Sequence, residues 1–200
     1  MTAHTPPAAA VAALVRTALT GRAAPGPLVV GIDGRSGSGK SDLAGEVVDR
    51  LRALPDLAGP GAVALLALED AYRGWYGLGV GVGAVAAGVL EPLSRGLPGT
   101  VRRFDWGAGE LDGPLTVPAP GAPLPRVLVL EGCGAGSAAC APFVDVLVWL
   151  DAPEAERRRR AMARDDGAWA DLWDAWSAQE QALLDARDAR AAADLVVRTG

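Results

Sequence analysis

The stretch "PLVVGIDGRSGSGKSDLA", Pro27–Ala44, decides the fold. Pro27–Asp33 is an almost unbroken apolar run, the pattern of a strand buried on both faces. From Ser41 the apolar residues Leu43, Val47, Leu51 and Leu54 recur at helical spacing, and Pro55 ends the run. Between them Gly34, Gly39, Lys40 and Ser41 satisfy G-x-x-x-x-G-K-[ST], with Ser36, Gly37 and Ser38 inside. Lys40 is the only lysine in a chain whose lysines and arginines total 19. In such a strand, loop and helix, glycines let backbone N–H groups curl around phosphate oxygens while the helix turns its partly positive N-terminus on them. Lys40 then supplies a compact ammonium that follows the β- and γ-phosphates, for which arginine's planar fork is no equivalent. Ser41 offers a hydroxyl to Mg²⁺, so ATP and Mg²⁺ are the expected ligands.

Working outward, four more apolar segments read as strands: 62–68 (AVALLAL), 126–132 (RVLVLEG), 144–150 (VDVLVWL) and 194–199 (DLVVRT). Helical patterns stand between them, at 153–166 and 168–190, and a short alanine-rich one precedes them at 8–19. The alternation predicts an α/β fold: a five-stranded, mostly parallel sheet with helices on both faces, in three layers. The order of the strands in space is not contained in the pattern. Residues 70–125, rich in Gly, Pro, aromatics and charges, read as irregular and too long for an idle loop. We expect one domain over 1–200, with 70–125 as an acceptor-site insertion and 153–167 as a lid.

Composition removes several function classes. A net charge of -5 and a pI near 4.9 argue against a nucleic-acid surface. The run Arg157–Arg160 is balanced by Asp151, Glu154, Glu156, Asp165 and Asp166. "GLGVGVGAVAAGVL" is too short and weak to span a bilayer, and the N-terminus lacks the cationic start of a signal peptide. A cytoplasmic protein with no membrane or nucleic-acid partner is expected. Cys133 and Cys140 fit no metal-binding spacing and read as free thiols; the one histidine, His4, reads as part of a loose end, which excludes histidine triads and histidine-ligated metals. Asparagine is absent, and with it the guanine-recognising Asn-Lys-x-Asp of GTPases. A small-molecule kinase asks for less: a nucleotide loop, a base, an acceptor pocket and a cationic lid.

Glu69 and Asp70 follow the second strand and therefore stand at the carboxyl edge of the sheet, beside the loop. An extended chain points them apart, and Asp70 is the favoured base for an acceptor hydroxyl. Arg160 and Arg164, four apart, share a helical face that could close over a transferring phosphoryl group. Trp169, Trp173 and Trp176 have the spacing of core packing, whereas Trp75, Tyr76 and Trp106 sit among charges and are candidate acceptor contacts.

"GIDGRSGSGKS", "LEDAYRGW", "RRFDW", "VLVLEG" and "ERRRRAMARD", in this order, resemble the uridine kinase-like group of P-loop kinases, over roughly residues 27–198. The resemblance implies that Asp70 activates the acceptor hydroxyl, that Tyr72 is the aromatic following it, and that Glu131 helps to hold Mg²⁺. It also implies that Arg157, Arg160 and Arg164 are lid arginines, with Arg157 on the nucleotide, and that Arg103, Asp105 and Trp106 line the acceptor site. "GAGELD" follows them, without the base-recognising histidine of uridine kinases. The expected activity is transfer of the ATP γ-phosphoryl group to a hydroxyl of a small molecule, with a nucleoside as the acceptor class that the resemblance implies. A cofactor precursor or sugar as acceptor, a regulatory nucleotide-binding module and a homo-oligomeric assembly are left open.

Overall fold

A computed structural model describes residues 5–164 and 170–200, with the side chain of Arg164 outside the described set. Helix α1 (Pro7–Leu19) leads into β1 (Leu28–Gly34), the glycine loop and α2 (Lys40–Arg52), then β2 (Val63–Ala67). Strands β5 (Val127–Glu131), β6 (Val146–Asp151) and β7 (Leu195–Arg198) complete a five-stranded sheet in the order β2-β5-β1-β6-β7. Every neighbouring pair in it is parallel.

Strand alternation divides the core in two. Leu28, Val30, Ile32, Val127, Val129, Val146 and Val148 face α1 and α2, meeting Val11, Val15, Val47 and Leu51. Val29, Leu128 and Leu130 face the opposite layer with Leu68, Val82, Val89, Trp173 and Trp176. Both faces are dry, which is why these strands read as continuous apolar runs. The register sets Ile32, Glu131 and Ala67 abreast. The glycine loop, the end of β5 and the turn after β2 consequently open on one edge, where ligands bind in open parallel sheets.

Two expectations need correction. The 70–125 segment is not irregular: it holds α3 (Leu78–Val85), continued by a π turn (Ala86–Leu90) into α4 (Glu91–Ser94), and an antiparallel hairpin of β3 (Gly99–Asp105) and β4 (Glu110–Val117). Its glycines hid the helix, since glycine costs roughly 1 kcal/mol per helical position relative to alanine. Packing reverses the preference. A Cβ on Gly81 would lie 2.5 Å from the Ala71 carbonyl oxygen and one on Gly88 2.6 Å from that of Thr100, so only glycine lets the helix sit this close. Second, β2 ends at Ala67, and Leu68–Ala71 forms a 3₁₀ turn rather than extended chain, so Glu69 and Asp70 are not held to opposite faces.

On the far side of the loop, β6 leads into α5 (Glu154–Arg164), and α6 (Trp173–Ala186) follows. Among the described residues, no helix is long and apolar enough to cross a membrane.

Candidate active site

The loop between β1 and α2 takes its shape from glycines. Gly37 (φ 77°) and Gly39 (φ 90°) lie in the left-handed region that costs other residues strain. Around Gly37 there is no room either, because a Cβ would stand 2.1 Å from the carbonyl oxygen of Arg157. The first turn of α5 therefore lies directly on the loop. At Gly39 a Cβ would meet nothing within 4 Å, so it would stand in open space at the start of α2. That helix start combines N–H groups without an intrahelical partner, the positive end of the helix and Lys40.

Lys40 is buried at 8% exposure, its Nζ donating to the Arg35 carbonyl at 3.2 Å. Burial alone would lower its pKa, but Cys133, Glu180, Asp33 and Glu131 around it more than offset this; the net direction is upward and the ammonium is charged at neutral pH. Ser41 donates through Oγ to Glu131 Oε1 at 3.2 Å. Burial pushes the Glu131 carboxyl above its ordinary value, Lys40 and Ser41 pull it down, and Glu69 and Asp70 push it up again. The last pair thus stands within electrostatic reach of the Ser41–Glu131 couple.

The donor set fits Mg²⁺. Among the described residues no group of three or more His, Cys, Asp or Glu could cage a metal. A hydroxyl beside a carboxylate is what a small hard cation asks for when phosphate oxygens and water supply its other ligands. Gly39 and Lys40 equally fit a polyphosphate.

The acceptor side is built by the 68–71 turn and the hairpin. Asp70 is half-exposed and pairs loosely with Arg103 at 3.8 Å. Trp106 donates its indole N–H to the Glu69 carbonyl at 3.1 Å, tying the hairpin to the turn. Trp106 also stands edge-to-face with Trp75 (5.1 Å) and Phe104 (5.2 Å). Asp105 uses Oδ1 to accept the N–H groups of Gly107 and Ala108, so part of its carboxylate holds the hairpin turn rather than facing an acceptor.

Other sequence candidates are placed elsewhere. Tyr72 is buried and donates its hydroxyl to the Cys133 carbonyl at 2.8 Å, a brace between the 68–71 turn and the end of β5. Ser38 is fully buried, and its carbonyl accepts from Thr199 Oγ1 at 2.7 Å, which ties the loop to the end of the chain after β7. Arg157 is buried, donates to the Ala152 and Ser36 carbonyls at 3.2 Å each, and lies over the Trp173 ring. It supports the loop from outside. Arg160 is held by Glu156 at 2.6 Å and by Thr199. Arg164 as a lid side chain, and Trp169, lie outside the described residues.

Two buried acids escaped the sequence reading. Asp33 accepts three backbone N–H groups, from Gly34 (2.7 Å), Gly134 (2.9 Å) and Gly136 (2.7 Å), which locks the turn after β5 to the mouth of the loop. Glu180 accepts from the Ser36 N–H at 2.7 Å and from Arg35 Nε at 3.1 Å. Burial pushes Glu180 upward, but Lys40 and Ser36 outweigh it, so its pKa lies below the ordinary value and it is ionised. Its signal was present in the sequence: Trp173, Trp176 and Glu180 share one helical face, and an acid on a tryptophan stripe is out of place unless paired.

No protein-family model matches the sequence, and none of the curated proteins does. Solved structures do. A possible uridine kinase from Bacillus stearothermophilus superposes with a TM-score of 0.61 at 23% identity, covering 92% of this chain and 94% of that one. A candidate fructose transport system kinase from Silicibacter sp. TM1040 gives 0.56 at 21% identity, covering 94% and 98%. At these identities the likeness is one of fold: a parallel five-stranded sheet between two layers of helices, with a glycine loop after its first strand.

Proposed function

We propose that this chain is an ATP-dependent phosphotransferase that moves the γ-phosphoryl group to a hydroxyl of a small molecule. The observation that carries the reading is one juxtaposition. A loop shaped for phosphate, the buried ammonium of Lys40, the Ser41–Glu131 couple and a half-exposed Asp70 converge on one edge of the sheet. The names of the two structural neighbours, both kinases, agree with it.

In this reading the loop N–H groups and Lys40 hold the β- and γ-phosphates of ATP, while Ser41 and Glu131 hold Mg²⁺, Glu131 directly or through water. Bound there, Mg²⁺ would supply charge screening for the phosphates. Asp70 takes the proton of the acceptor hydroxyl as its oxygen bonds to the γ-phosphorus and the bond from that phosphorus to the bridging oxygen of ADP breaks. Lys40 offsets the charge that gathers on the leaving phosphate. Arg160 would join it only by exchanging Glu156 and Thr199 for phosphate oxygens. Trp75, Trp106 and Arg103 form the wall against which an acceptor is positioned. A nucleoside is one acceptor class this wall suits; sugars and cofactor precursors are the others.

A coupled ADP-release screen over nucleosides, sugars and vitamin-type alcohols tests the proposal. At least one acceptor should raise ADP formation, and Asp70→Asn should abolish that turnover while leaving Mg·ATP binding intact. Turnover unchanged in Asp70→Asn would remove Asp70 as the base. Tight Mg·ATP binding with no acceptor response would instead favour a nucleotide-binding regulatory module.

A further inference from the structure

Gln179 and Glu180 are neighbours on α6 but hold different parts of the site. Glu180 grips the phosphate loop through the Ser36 N–H and Arg35 Nε. One turn earlier Trp176 donates its indole N–H to Ser36 Oγ at 2.8 Å and to Glu180 Oε1 at 3.1 Å, and Arg35 reaches the Ser177 carbonyl at 2.8 Å. Gln179 serves the acceptor side. Its Nε2 donates to the Trp75 carbonyl at 2.7 Å, and its Oε1 accepts the N–H of Leu78, the first residue of α3, at 3.2 Å. Trp176 stands edge-to-face with Tyr72 at 5.4 Å and Trp75 at 6.0 Å, filling the space between the two grips.

The residue types suit the two tasks. A carboxylate can accept an amide N–H and a guanidinium together, and both bonds are charge-assisted. A primary amide is the side chain that can satisfy one backbone carbonyl and one backbone N–H of the same turn at once. Both grips leave one helical turn, so a rigid shift of α6 cannot loosen one without moving the other.

We propose that Gln179 and Glu180 are positioning residues that couple the phosphate loop to the Trp75–Leu78 turn through α6, so that disorder or occupancy at one end is felt at the other. Calling those ends the nucleotide and acceptor sides rests on the phosphotransferase reading; the mechanical coupling does not. Neither residue touches the reacting atoms.

Amide hydrogen exchange on the full chain, first without ligand, tests this. In Gln179→Ala, exchange should rise in residues 75–82, which the side chain touches. It should also rise, by about threefold or more, in residues 34–41, which it does not touch. Glu180→Gln should produce the mirror image. Exchange in β5, buried in the middle of the sheet, should match wild type in both, which separates coupling from general loss of stability. Should Glu180→Gln fail to fold, the half-buried Gln179 still carries the comparison. Effects confined to the segment that each side chain touches would overturn the proposal.

A second arm adds Mg·ATP. Wild type should gain protection in 34–41 and in 75–82, and Gln179→Ala in 34–41 alone. Equal protection of 75–82 in both proteins would also overturn the coupling. Absence of protection at 34–41 in wild type would count against the phosphotransferase reading, and the ligand-free comparison would still decide the coupling.

Discussion

Replacing Gly37 or Gly39 by alanine adds the same methyl group to the same loop, and the structure predicts opposite consequences. Both residues have positive φ, so each substitution carries backbone strain of about 1–2 kcal/mol. At Gly39 that is the whole structural cost, because the new Cβ meets nothing within 4 Å. At Gly37 the Cβ would stand 2.1 Å from the Arg157 carbonyl oxygen and 2.7 Å from its carbon, where contacts rest near about 3.5 Å. Loop and α5 must then part by more than about 1 Å, which adds roughly 1–3 kcal/mol in the manner of an overpacked core. Gly37→Ala should therefore lose about 2–5 kcal/mol, a large share of the 5–15 kcal/mol typical of a domain. With a urea slope of about 2 kcal/mol per molar, that lowers the unfolding midpoint by about 1–2.5 M, against about 0.5–1 M for Gly39→Ala. Mg·ATP affinity should reverse the severity. In the proposed reading phosphate oxygens approach the backbone at the start of α2, where the Gly39→Ala methyl would stand in otherwise open space, so calorimetry should find binding abolished in a protein that still folds. A Gly37→Ala midpoint equal to wild type, or Gly39→Ala binding Mg·ATP normally, would refute the placement of the loop.

Glu131→Gln keeps an acceptor for Ser41 but removes the charge, and should weaken the Mg²⁺ dependence of ATP binding by about 10–100-fold while leaving metal-free binding unchanged. Since burial raises the Glu131 pKa, that Mg²⁺ dependence should fade on acidification at a higher pH than an ordinary carboxylate would give, as titrations at stepped pH will show. Burial pushes the thiols of Cys133 and Cys140 up to about 12 and about 11, so iodoacetamide at mildly alkaline pH should label neither in the folded chain and both in denaturant. An unfolded chain ionises these thiols near their ordinary value of 9.0, while the folded chain keeps both protons longer. The folded state then binds more protons, and their contribution to stability should fall as pH rises above 9, which urea midpoints will register.

What was legible in the sequence follows from how each element is stabilised. β1, β5 and β6 are buried on both faces and announce themselves as apolar runs; the glycine loop does so because its geometry admits few residue types. Strand order was illegible, since five runs of similar character carry no record of which neighbours which. α3 was hidden because Gly79, Gly81 and Gly83 disfavour a helix that tertiary contact at Gly81 makes favourable. Lys40, Ser41 and Glu131 were found together because a motif and a strand end place them. Gln179, Glu180 and Asp33 were not, because the bonds that tie them to the site, to Trp75 and Leu78, to Ser36, and to Gly134 and Gly136, cross about a hundred residues or more and depend on how the chain folds back. The backbone bonds of Tyr72 and Asp105 were illegible for the same reason: position in a motif does not reveal which backbone group a side chain meets.

The central claim is that Lys40 and the loop around it grip the tail of a triphosphate. Titration calorimetry of Mg·ATP into wild type and Lys40→Met tests it most directly. One site per chain should appear in wild type, weakened in the variant by about 2–3 kcal/mol, roughly 30–150-fold, the worth of hydrogen bonds from an ammonium to phosphate. A wild-type protein that gives no heat with Mg·ATP, or a Lys40→Met variant that binds it equally well, would contradict the account.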